Sequence, residues 1–377
     1  MTGTSALSPP VRVGVIGCGN VSRQYLANLV LQDETDRTDP DDAHLVVVAC
    51  ADAESARADE LARAFGIVQT LSVDELVASA EIDLVLNLTS PSAHAAVSMA
   101  AVRAGKHVYT EKPLATSVAD ARALLDAADA AGVSVGCAPD TFLGPGLSRC
   151  RELVLAGTIG TPVSANAFSM GPGPEAFHPQ PDFLYHPGAG PLFDGGPYAV
   201  SALVSLLGPV AAVTGMATTG SARRTVRTGR RAGETFAVEV PTHVSALLRF
   251  AGGAVATLVM SFDVQGTRTP RLEIHGTEAS LVCPAPNSWG GPAVILPGGS
   301  ADPVTFAVSG GDGNRIGLGV VQMAAALRAG SRPAASGDRG LHVLEVLDAI
   351  DRSAESGGET VALDPPRGEI DVRRTTW

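Results

Sequence analysis

The stretch Val11-Arg12-Val13-Gly14-Val15-Ile16-Gly17-Cys18-Gly19-Asn20-Val21-Ser22 decides the fold of the N-terminal half. It begins as a short β-branched segment typical of a buried strand, and the residues after Gly19 place apolar side chains at helical spacing. Gly17 permits a tight turn, Gly19 lets the backbone approach a pyrophosphate, and a helix starting at Asn20 and Val21 directs its N–H groups at phosphates. Ser22 replaces the third glycine of this pattern, so an ordinary strand-to-helix turn remains the alternative.

A second predicted strand, residues 45–51, ends at Asp52. A carboxylate at this place accepts the hydroxyl protons of an adenosine ribose and repels a 2′-phosphate, so we expect NAD rather than NADP. The spacing from Gly19 to Asp52 exceeds the usual ~20 residues, and we assign the excess to an inserted acidic loop at residues 32–42. The alternative is that Asp52 only caps the helix that follows it.

Strands and helices continue to alternate through the first 140 residues. The patterns predict strands at residues 82–89, 107–110 and 133–137 and helices at residues 92–104 and 114–131, the last capped by Thr116 or Ser117. This alternation predicts an α/β chain whose residues 1–140 form a Rossmann domain with a doubly wound parallel sheet. Ligands bind at the carboxyl ends of such strands, where Asp52 and Glu111-Lys112-Pro113 both lie.

The pattern changes after a predicted helix near residues 147–156. Strands separated by Gly and Pro are predicted at residues 163–170, 210–218, 242–250, 255–262, 272–276 and 280–283. Two later helices, residues 317–329 and 342–356, are expected to pack back on the rest. We therefore predict that residues 141–377 form a second, α+β domain with a mainly antiparallel sheet and a substrate-binding role.

Composition excludes several classes of protein. With 27 basic and 39 acidic residues the net charge is −12, so we expect neither nucleic acid nor an anionic membrane as a partner. The arginine-rich stretch 223–231 is interpreted as a solvated loop.

Five scattered cysteines without metal-ligand spacing indicate buried thiols, no metal site and a reducing, cytoplasmic location. No membrane span or signal peptide is predicted.

A Pro-, Gly- and aromatic-rich segment, residues 171–197, lies between the two halves and is a candidate site loop. It contains His178 and His186, which are candidate contacts for substrate hydroxyls; exposed loop histidines are the alternative. Its end runs into an apolar, helix-like stretch in which Asp194 and Tyr198 are four residues apart. If the helix begins near Asp194, both side chains share one face. Otherwise Asp194 is only the cap and Tyr198 belongs to the core.

Five motifs together resemble the glucose–fructose oxidoreductase, inositol dehydrogenase and MocA-like family over nearly the whole chain. They are Val15 to Gly19, Asn87-Leu88-Thr89-Ser90-Pro91 with His94, Ala104-Gly105-Lys106-His107-Val108, Glu111-Lys112-Pro113-Leu114-Ala115, and residues 190–198. The resemblance implies a nicotinamide cofactor and reversible oxidation of sugar or cyclitol alcohols. It also implies a large open C-terminal sheet that is often used for oligomerisation, so we expect a homodimer or homotetramer.

The resemblance also implies roles for three residues. Lys112 matches the lysine that contacts substrate and cofactor, Asp194 matches the family's aspartate, and Tyr198 stands where its usual histidine lies. An unperturbed tyrosine has a pKa of about 10 and needs a nearby cation, such as Lys112 or oxidised nicotinamide, to act as a base. Some family members carry tyrosine at this place. Ser201 replaces a further family carboxylate, which argues against the inositol dehydrogenase branch.

Further contacts are expected around these residues. Cofactor contacts are expected at Thr89, Ser90, Pro91, His94 and Glu111, with a packed histidine as the alternative for His94. Asp140, just beyond the last Rossmann strand, is a further candidate for substrate binding. The expected reaction is hydride transfer from a carbinol carbon, with a positioned base that removes the hydroxyl proton. Two other functions stay open: transient use of bound NAD for sugar elimination or glycoside cleavage, and non-catalytic sugar sensing.

Overall fold

The structure, a computed structural model, describes residues 9–31, 44–299, 302–308, 313–368 and 370. These residues form two compact units. The N-terminal unit comprises the described residues up to 140 together with 314–341, and the C-terminal unit comprises 141–313 and the described residues from 342 onward. Residues 314–341, which we expected in the second domain, group with the N-terminal unit. The expected loop at residues 32–42 lies outside the described residues.

The N-terminal unit is built on six parallel strands. They are β1 (Val11–Ile16), β2 (Leu45–Ala51), β3 (Gln69–Thr70), β4 (Leu84–Asn87), β5 (His107–Thr110) and β6 (Val135–Cys137). Their order is β3-β2-β1-β4-β5-β6, and every neighbouring pair is parallel. Strand order reverses between β1 and β4, which confirms the predicted doubly wound Rossmann sheet.

Helices connect these strands. They are α1 (Asn20–Leu26), which continues as a π-helical turn (Ala27–Leu31), α2 (Ser55–Phe65), α3 (Val73–Ala78), α4 (Pro91–Arg103) and α5 (Val118–Ala131). Ser117, one of the two predicted caps, accepts a hydrogen bond from the Asp120 N–H at 3.1 Å. Because this cap fixes the first turn, α5 begins at Val118 and not at residue 114 as predicted.

The register of the parallel sheet aligns the carboxyl ends of four strands. Ile16 at the end of β1 pairs with Ala51 of β2 and with Asn87 of β4, and Asn87 pairs with Thr110 of β5. The chain therefore leaves all four strands at the same level. Whatever follows these strands lies along one edge of the sheet, beside the point where strand order reverses.

Helix α8 (Leu318–Arg328) belongs to the N-terminal unit because Asp140 holds its start. The buried Asp140 carboxylate accepts the N–H groups of Gly317 and Gly319 at 2.9 and 3.0 Å. Beyond the helix, the Ala335 carbonyl accepts the N–H of Cys137 at 2.9 Å and covers the edge of β6. These contacts join residues far apart in sequence, so spacing alone did not reveal them.

The C-terminal unit contains a nine-stranded open sheet in the order β16-β15-β14-β13-β7-β12-β11-β8-β17. These strands are β7 (Pro162–Met170), β8 (Val210–Thr218), β11 (His243–Phe250), β12 (Val255–Ser261), β13 (Leu272–Gly276), β14 (Ala279–Val282), β15 (Ala293–Pro297), β16 (Val304–Phe306) and β17 (Val361–Ala362). All neighbours are antiparallel except β7 and β12, which confirms the mainly antiparallel prediction. Strands β15, β16 and β17 were not predicted.

A separate hairpin and three α-helices complete the described strands and α-helices. They are β9 (Arg223–Thr225), β10 (Thr235–Ala237), α6 (Pro145–Leu155), α7 (Gly190–Leu207) and α9 (Gly337–Glu355). Helix α7 packs on β7, β11 and β12, and its residues Val200, Leu203 and Val204 are fully buried. Among the described helices, none combines the length and apolar character needed to cross a lipid bilayer.

Candidate functional site

The glycine turn after β1 has the geometry expected of a phosphate-binding turn. Gly17 has φ of +99°, and an added Cβ would lie 2.5 Å from the carbonyl carbon of Leu88, so only glycine fits. Around Gly19, no atom of the described residues lies within 4 Å of an added Cβ. The buried Ser22 hydroxyl donates to the Gly19 carbonyl at 2.6 Å, so serine is accommodated at the third position.

Helix α1 begins directly after this turn. Gly19 is its cap residue, and within the described chain no side chain caps it. The first N–H groups, beginning with those of Asn20 and Val21, therefore have the positive end of the helix and an open space in front of them. This arrangement can accept a pyrophosphate.

Asp52 follows β2 and faces the glycine turn. Its Oδ2 accepts the Cys18 N–H at 2.8 Å, and its Oδ1 accepts the Glu54 N–H at 2.9 Å. The cap residue of α2 is Glu54, so the alternative that Asp52 caps this helix is wrong. Each carboxylate oxygen keeps further acceptor capacity, which two ribose hydroxyls can use.

The loop after β4 contains three of the predicted cofactor residues. The Thr89 hydroxyl and N–H both donate to the Asn87 side-chain oxygen, at 2.7 and 3.2 Å. Ser90 is exposed and precedes α4, whose first residue is Pro91. The buried Asn87 therefore fixes the start of the loop and leaves Ser90 and Pro91 at the surface.

His94 lies in the first turns of α4 and is almost fully buried, at 1% exposure. One ring nitrogen lies 2.7 Å from the Pro113 carbonyl oxygen and the other 3.0 Å from the Thr89 carbonyl oxygen. The ring joins the loop after β4 to the Lys112-Pro113 turn. This placement favours the packed alternative for His94 over a direct cofactor contact.

Glu111 fixes the backbone from which Lys112 extends. Its Oε1 accepts the Tyr25 hydroxyl at 2.8 Å, its Oε2 accepts the Lys112 N–H at 2.8 Å, and its own N–H donates to the Asn87 carbonyl at 2.9 Å. Burial and the Glu111 charge raise the pKa of Tyr25, which keeps this hydroxyl a donor. The Lys112-Pro113 peptide bond is cis, and Lys112 is half-buried.

The structure thus brings together most of the predicted cofactor residues. Gly17, Asp52 and Glu111 directly follow the aligned ends of β1, β2 and β5, and Thr89 is two residues beyond the end of β4. Lys112 stands next to Glu111 along the same edge of the sheet. A lysine is therefore placed at the edge that carries the glycine turn.

A cavity of about 540 Å³ in the C-terminal unit contains Asp194 and Tyr198. Both lie on α7, which begins at Gly190, so neither the expected start near Asp194 nor the alternative of an Asp194 cap is correct. Pro191 occupies the first turn, where its missing N–H costs nothing. Gly196 lies against Leu347, where an added Cβ would come within 2.7 Å, so close packing holds this Gly- and Pro-rich segment in a helix.

Three predicted substrate residues are placed elsewhere. The residues that line this cavity in the described structure do not include His178 or His186. The Nδ1 of His178 accepts the Gln180 N–H at 3.1 Å, and the exposed His186 lies 3.0 Å from Glu239. Asp140 is 2% exposed and accepts the N–H groups of Gly317 and Gly319 at the start of α8, which supports a structural role.

Sequence reasoning missed other polar and aromatic residues of the cavity. They include Ser169, Arg271, Asn287 and Trp289. Trp289 is one of two tryptophans and lies in a Gly- and Pro-rich stretch, residues 284–292, which is a signal that could have been used. Its carbonyl accepts the Gly146 N–H at 3.1 Å, which fixes its backbone. Arg271 carried no local signal.

A buried ionic cluster supports one wall of the cavity. Glu175 is fully buried and accepts hydrogen bonds from the Tyr185 hydroxyl and, at 2.8 Å, from Arg224, which also pairs with Asp263. Burial and the Glu175 carboxylate raise the pKa of Tyr185. The neighbouring Pro174 lines the cavity. We expected residues 223–231 to form a solvated loop. For Arg224 this prediction is wrong, because its guanidinium is paired within the cluster.

Comparisons with known proteins agree with this architecture. Residues 11–138 match the oxidoreductase family with an NAD-binding Rossmann fold, and residues 147–282 match the GFO/IDH/MocA C-terminal domain. The chain is 30% identical to D-xylose 1-dehydrogenase (NADP(+)) 2 of Haloferax volcanii over 329 residues, covering 84% of this chain and 91% of that protein. It is 29% identical to 1,5-anhydro-D-fructose reductase of Ensifer adhaerens over 276 residues, covering 72% and 75%.

A solved structure shows the same fold. Levoglucosan dehydrogenase in complex with NADH superposes with a TM-score of 0.82 at 22% identity, covering 94% of this chain and 100% of that one. The likeness to the Haloferax volcanii enzyme extends through most of both chains, and the two matched regions cover both units. The chain therefore belongs to the GFO/IDH/MocA family of oxidoreductases.

Proposed function

We propose that this protein transfers a hydride between a nicotinamide dinucleotide and a hydroxyl-bearing carbon of a sugar, a sugar derivative or a cyclitol. The observation that carries the proposal is the place of Lys112, beyond β5 at the sheet edge where Gly17 and Asp52 follow β1 and β2. Relatives named for D-xylose and 1,5-anhydro-D-fructose support a sugar as the substrate class.

The residues at this edge fit a dinucleotide. The open space at Gly19 and the N–H groups of Asn20 and Val21 suit a pyrophosphate, and Asp52 suits the ribose. We propose NAD rather than NADP, because the Asp52 charge repels a 2′-phosphate. Further contacts are proposed from Thr89, Ser90, Pro91 and Glu111. Bound NAD supplies a hydride acceptor at its nicotinamide C4.

The side chains of this protein supply the proton chemistry. Lys112 donates a hydrogen bond to the reacting substrate oxygen and stabilises the negative charge that develops there. Tyr198 takes the hydroxyl proton, directly or as a relay, so that no free alkoxide accumulates. Asp194 accepts hydrogen bonds from substrate hydroxyls and orients the sugar.

Replacing Lys112 tests this proposal, and the sequence offers a matched control. Lys106 and Lys112 are the only lysines of the chain. They flank β5 at opposite ends, and Lys106 donates to the Ser79 carbonyl at 2.7 Å. We expect Lys112→Ala to lower turnover by about 10²- to 10⁴-fold, with NADH affinity within about threefold of wild type. Lys106→Ala should leave turnover near normal.

Steady-state kinetics and NADH fluorescence titration measure these two quantities. Near-normal turnover of Lys112→Ala would remove Lys112 from catalysis. The appearance of NADH with candidate sugars also separates the proposed dehydrogenase from the two other functions. Substrate-dependent proton exchange without net NADH would indicate transient use of the cofactor, and neither signal would indicate a non-catalytic sensor.

We further propose a homodimer or homotetramer that works in the cytoplasm. All five cysteines are buried free thiols, which supports a reducing compartment. Multi-angle light scattering of the purified chain tests the oligomeric state. A monomer at micromolar concentration would contradict that part of the proposal.

A further inference from the structure

We infer that the substrate carries an anionic group, a carboxylate or a phosphate, and that Arg271 binds it in the cavity of the C-terminal unit. The inference rests on the proposed function and narrows its substrate class. Two observations support the inference. They are the charged residues that line the cavity and the ion-pair partners of the arginines in this unit.

Arg271 occupies a fixed place in the cavity wall. Among the described residues that line the cavity, it is the only positively charged side chain, and Asp194 is the only negatively charged one. Arg271 directly precedes β13, and its carbonyl accepts the Phe168 N–H of β7 at 2.8 Å. Its backbone is therefore anchored to the sheet, so the side chain starts from a defined point.

The guanidinium of Arg271 has no partner among the described residues. Across the part of the chain that the structure describes, it forms no hydrogen bond and no ion pair, although the protein has 39 acidic and only 27 basic residues. Arg224 and Arg231 of the same unit are paired with carboxylates. An arginine that faces a cavity without a carboxylate partner is free to bind a ligand anion through two parallel hydrogen bonds.

An arginine without a partner on the open protein surface does not by itself indicate a bound anion. Arg249 on β11 is also exposed and without a partner among the described residues, but it does not line this cavity. The difference between these two exposed arginines is therefore that Arg271 lines the cavity that contains Asp194 and Tyr198. Arg249 is a matched control, because its replacement changes the net charge of the same unit by the same amount.

The other lining residues suit a polyhydroxylated ring next to the anion. Trp289 and Phe177 offer aromatic surface for the C–H face of a sugar, and Asn287 and Ser169 offer hydrogen bonds. Asp194 repels an anion, whereas Arg271 attracts one, so the two charges select one orientation of the substrate. In that orientation the hydroxyls, and not the anionic group, face Asp194 and Tyr198.

Kinetics with matched sugars test the inference. The probes are glucose, galactose and mannose, the uronate of each, and the 6-phosphate of each. We expect wild type to prefer one anionic series over the neutral sugars. We expect Arg271→Gln to raise KM for that series by about 10- to 100-fold, the value of a hydrogen bond to a charged group. The kcat should stay within threefold of wild type, and Arg249→Gln should change neither constant.

The preferred series identifies the anion as a carboxylate or a phosphate. Preference of wild type for neutral sugars, or an equal effect of Arg271→Gln on neutral and anionic sugars, would overturn the inference and leave the proposed dehydrogenase intact. Failure of every sugar to form NADH would instead contradict the proposed function. Calorimetric titration of the uronates and sugar phosphates into NADH-saturated wild type and Arg271→Gln then decides the inference. Binding that does not depend on Arg271 overturns it.

Discussion

Asp52 is held by the turn that it helps to form. Its two oxygens accept the backbone N–H groups of Cys18 and Glu54, so the carboxylate stays at the end of β2 beside the glycine turn, where we propose that the ribose binds. The same charge that attracts ribose hydroxyls repels a 2′-phosphate. One side chain therefore decides the choice between the two nicotinamide cofactors in our proposal.

We predict that Asp52→Asn raises the ratio of kcat/KM for NADP to kcat/KM for NAD by about tenfold, because one close charge repulsion is removed. The amide oxygen can still accept one backbone N–H, so the turn should persist. Asp59→Asn on α2 changes the net charge equally and should leave the ratio unchanged. An unaltered ratio in Asp52→Asn would show that the carboxylate does not discriminate between NAD and NADP.

At the scale of elements, strand β5 has a histidine with a structural role at its start and the proposed catalytic lysine just beyond its end. His107 at its start accepts the Ser134 N–H through Nδ1 at 2.9 Å, and Glu111-Lys112 follows its other end. Burial lowers the pKa of His107 below its ordinary 6.5. The unfolded chain therefore binds this proton more readily than the folded chain does, so stability falls as pH drops below neutrality toward the folded-state pKa.

We predict that His107→Asn weakens this dependence, because the amide oxygen can accept the Ser134 N–H but cannot titrate. Between about pH 7.5 and about pH 5.5 the fall in Tm should shrink by about 2 °C relative to wild type. Thermal unfolding followed by circular dichroism measures it. An identical fall in both proteins would mean that other groups carry the pH dependence.

At the scale of the molecule, the N-terminal unit is completed by a segment from the far end of the chain. Asp140 accepts two N–H groups at the start of α8, which is 177 to 179 residues away in sequence. Because the carboxylate is buried, its loss leaves those N–H groups without their acceptor. The stability of the whole Rossmann unit therefore depends on this distant contact.

We predict that Asp140→Ala destabilises the protein by about 2–3 kcal/mol and raises hydrogen exchange in α8. Asp140→Asn, which keeps one acceptor oxygen, should lose less and retain near-normal kcat/KM. A strong loss of kcat/KM in a stably folded Asp140→Asn would restore the substrate role that the sequence suggested.

Local patterns predicted the elements that local physics controls. The apolar run before Gly17, the glycine turn and the Ser117 cap each act within a few residues, so the sequence by itself determined these elements of the Rossmann half. It did not determine that residues 314–341 complete this unit. The same holds for the antiparallel strands that alternate buried and exposed residues, such as β11. The weakly patterned β15 and β16 acquire their structure from pairing with β14 and with each other, and were missed.

Only the tertiary structure decided which polar side chains meet. His178, His186 and Asp140 have residue types that suit a sugar site, yet they contact Gln180, Glu239 and the start of α8. Arg271 and Trp289 were not predicted as site residues from the sequence, yet both line the cavity. The physical reason is that a strand or turn forms from contacts between near neighbours. A cavity wall instead depends on sheet register and loop packing between residues far apart in the chain.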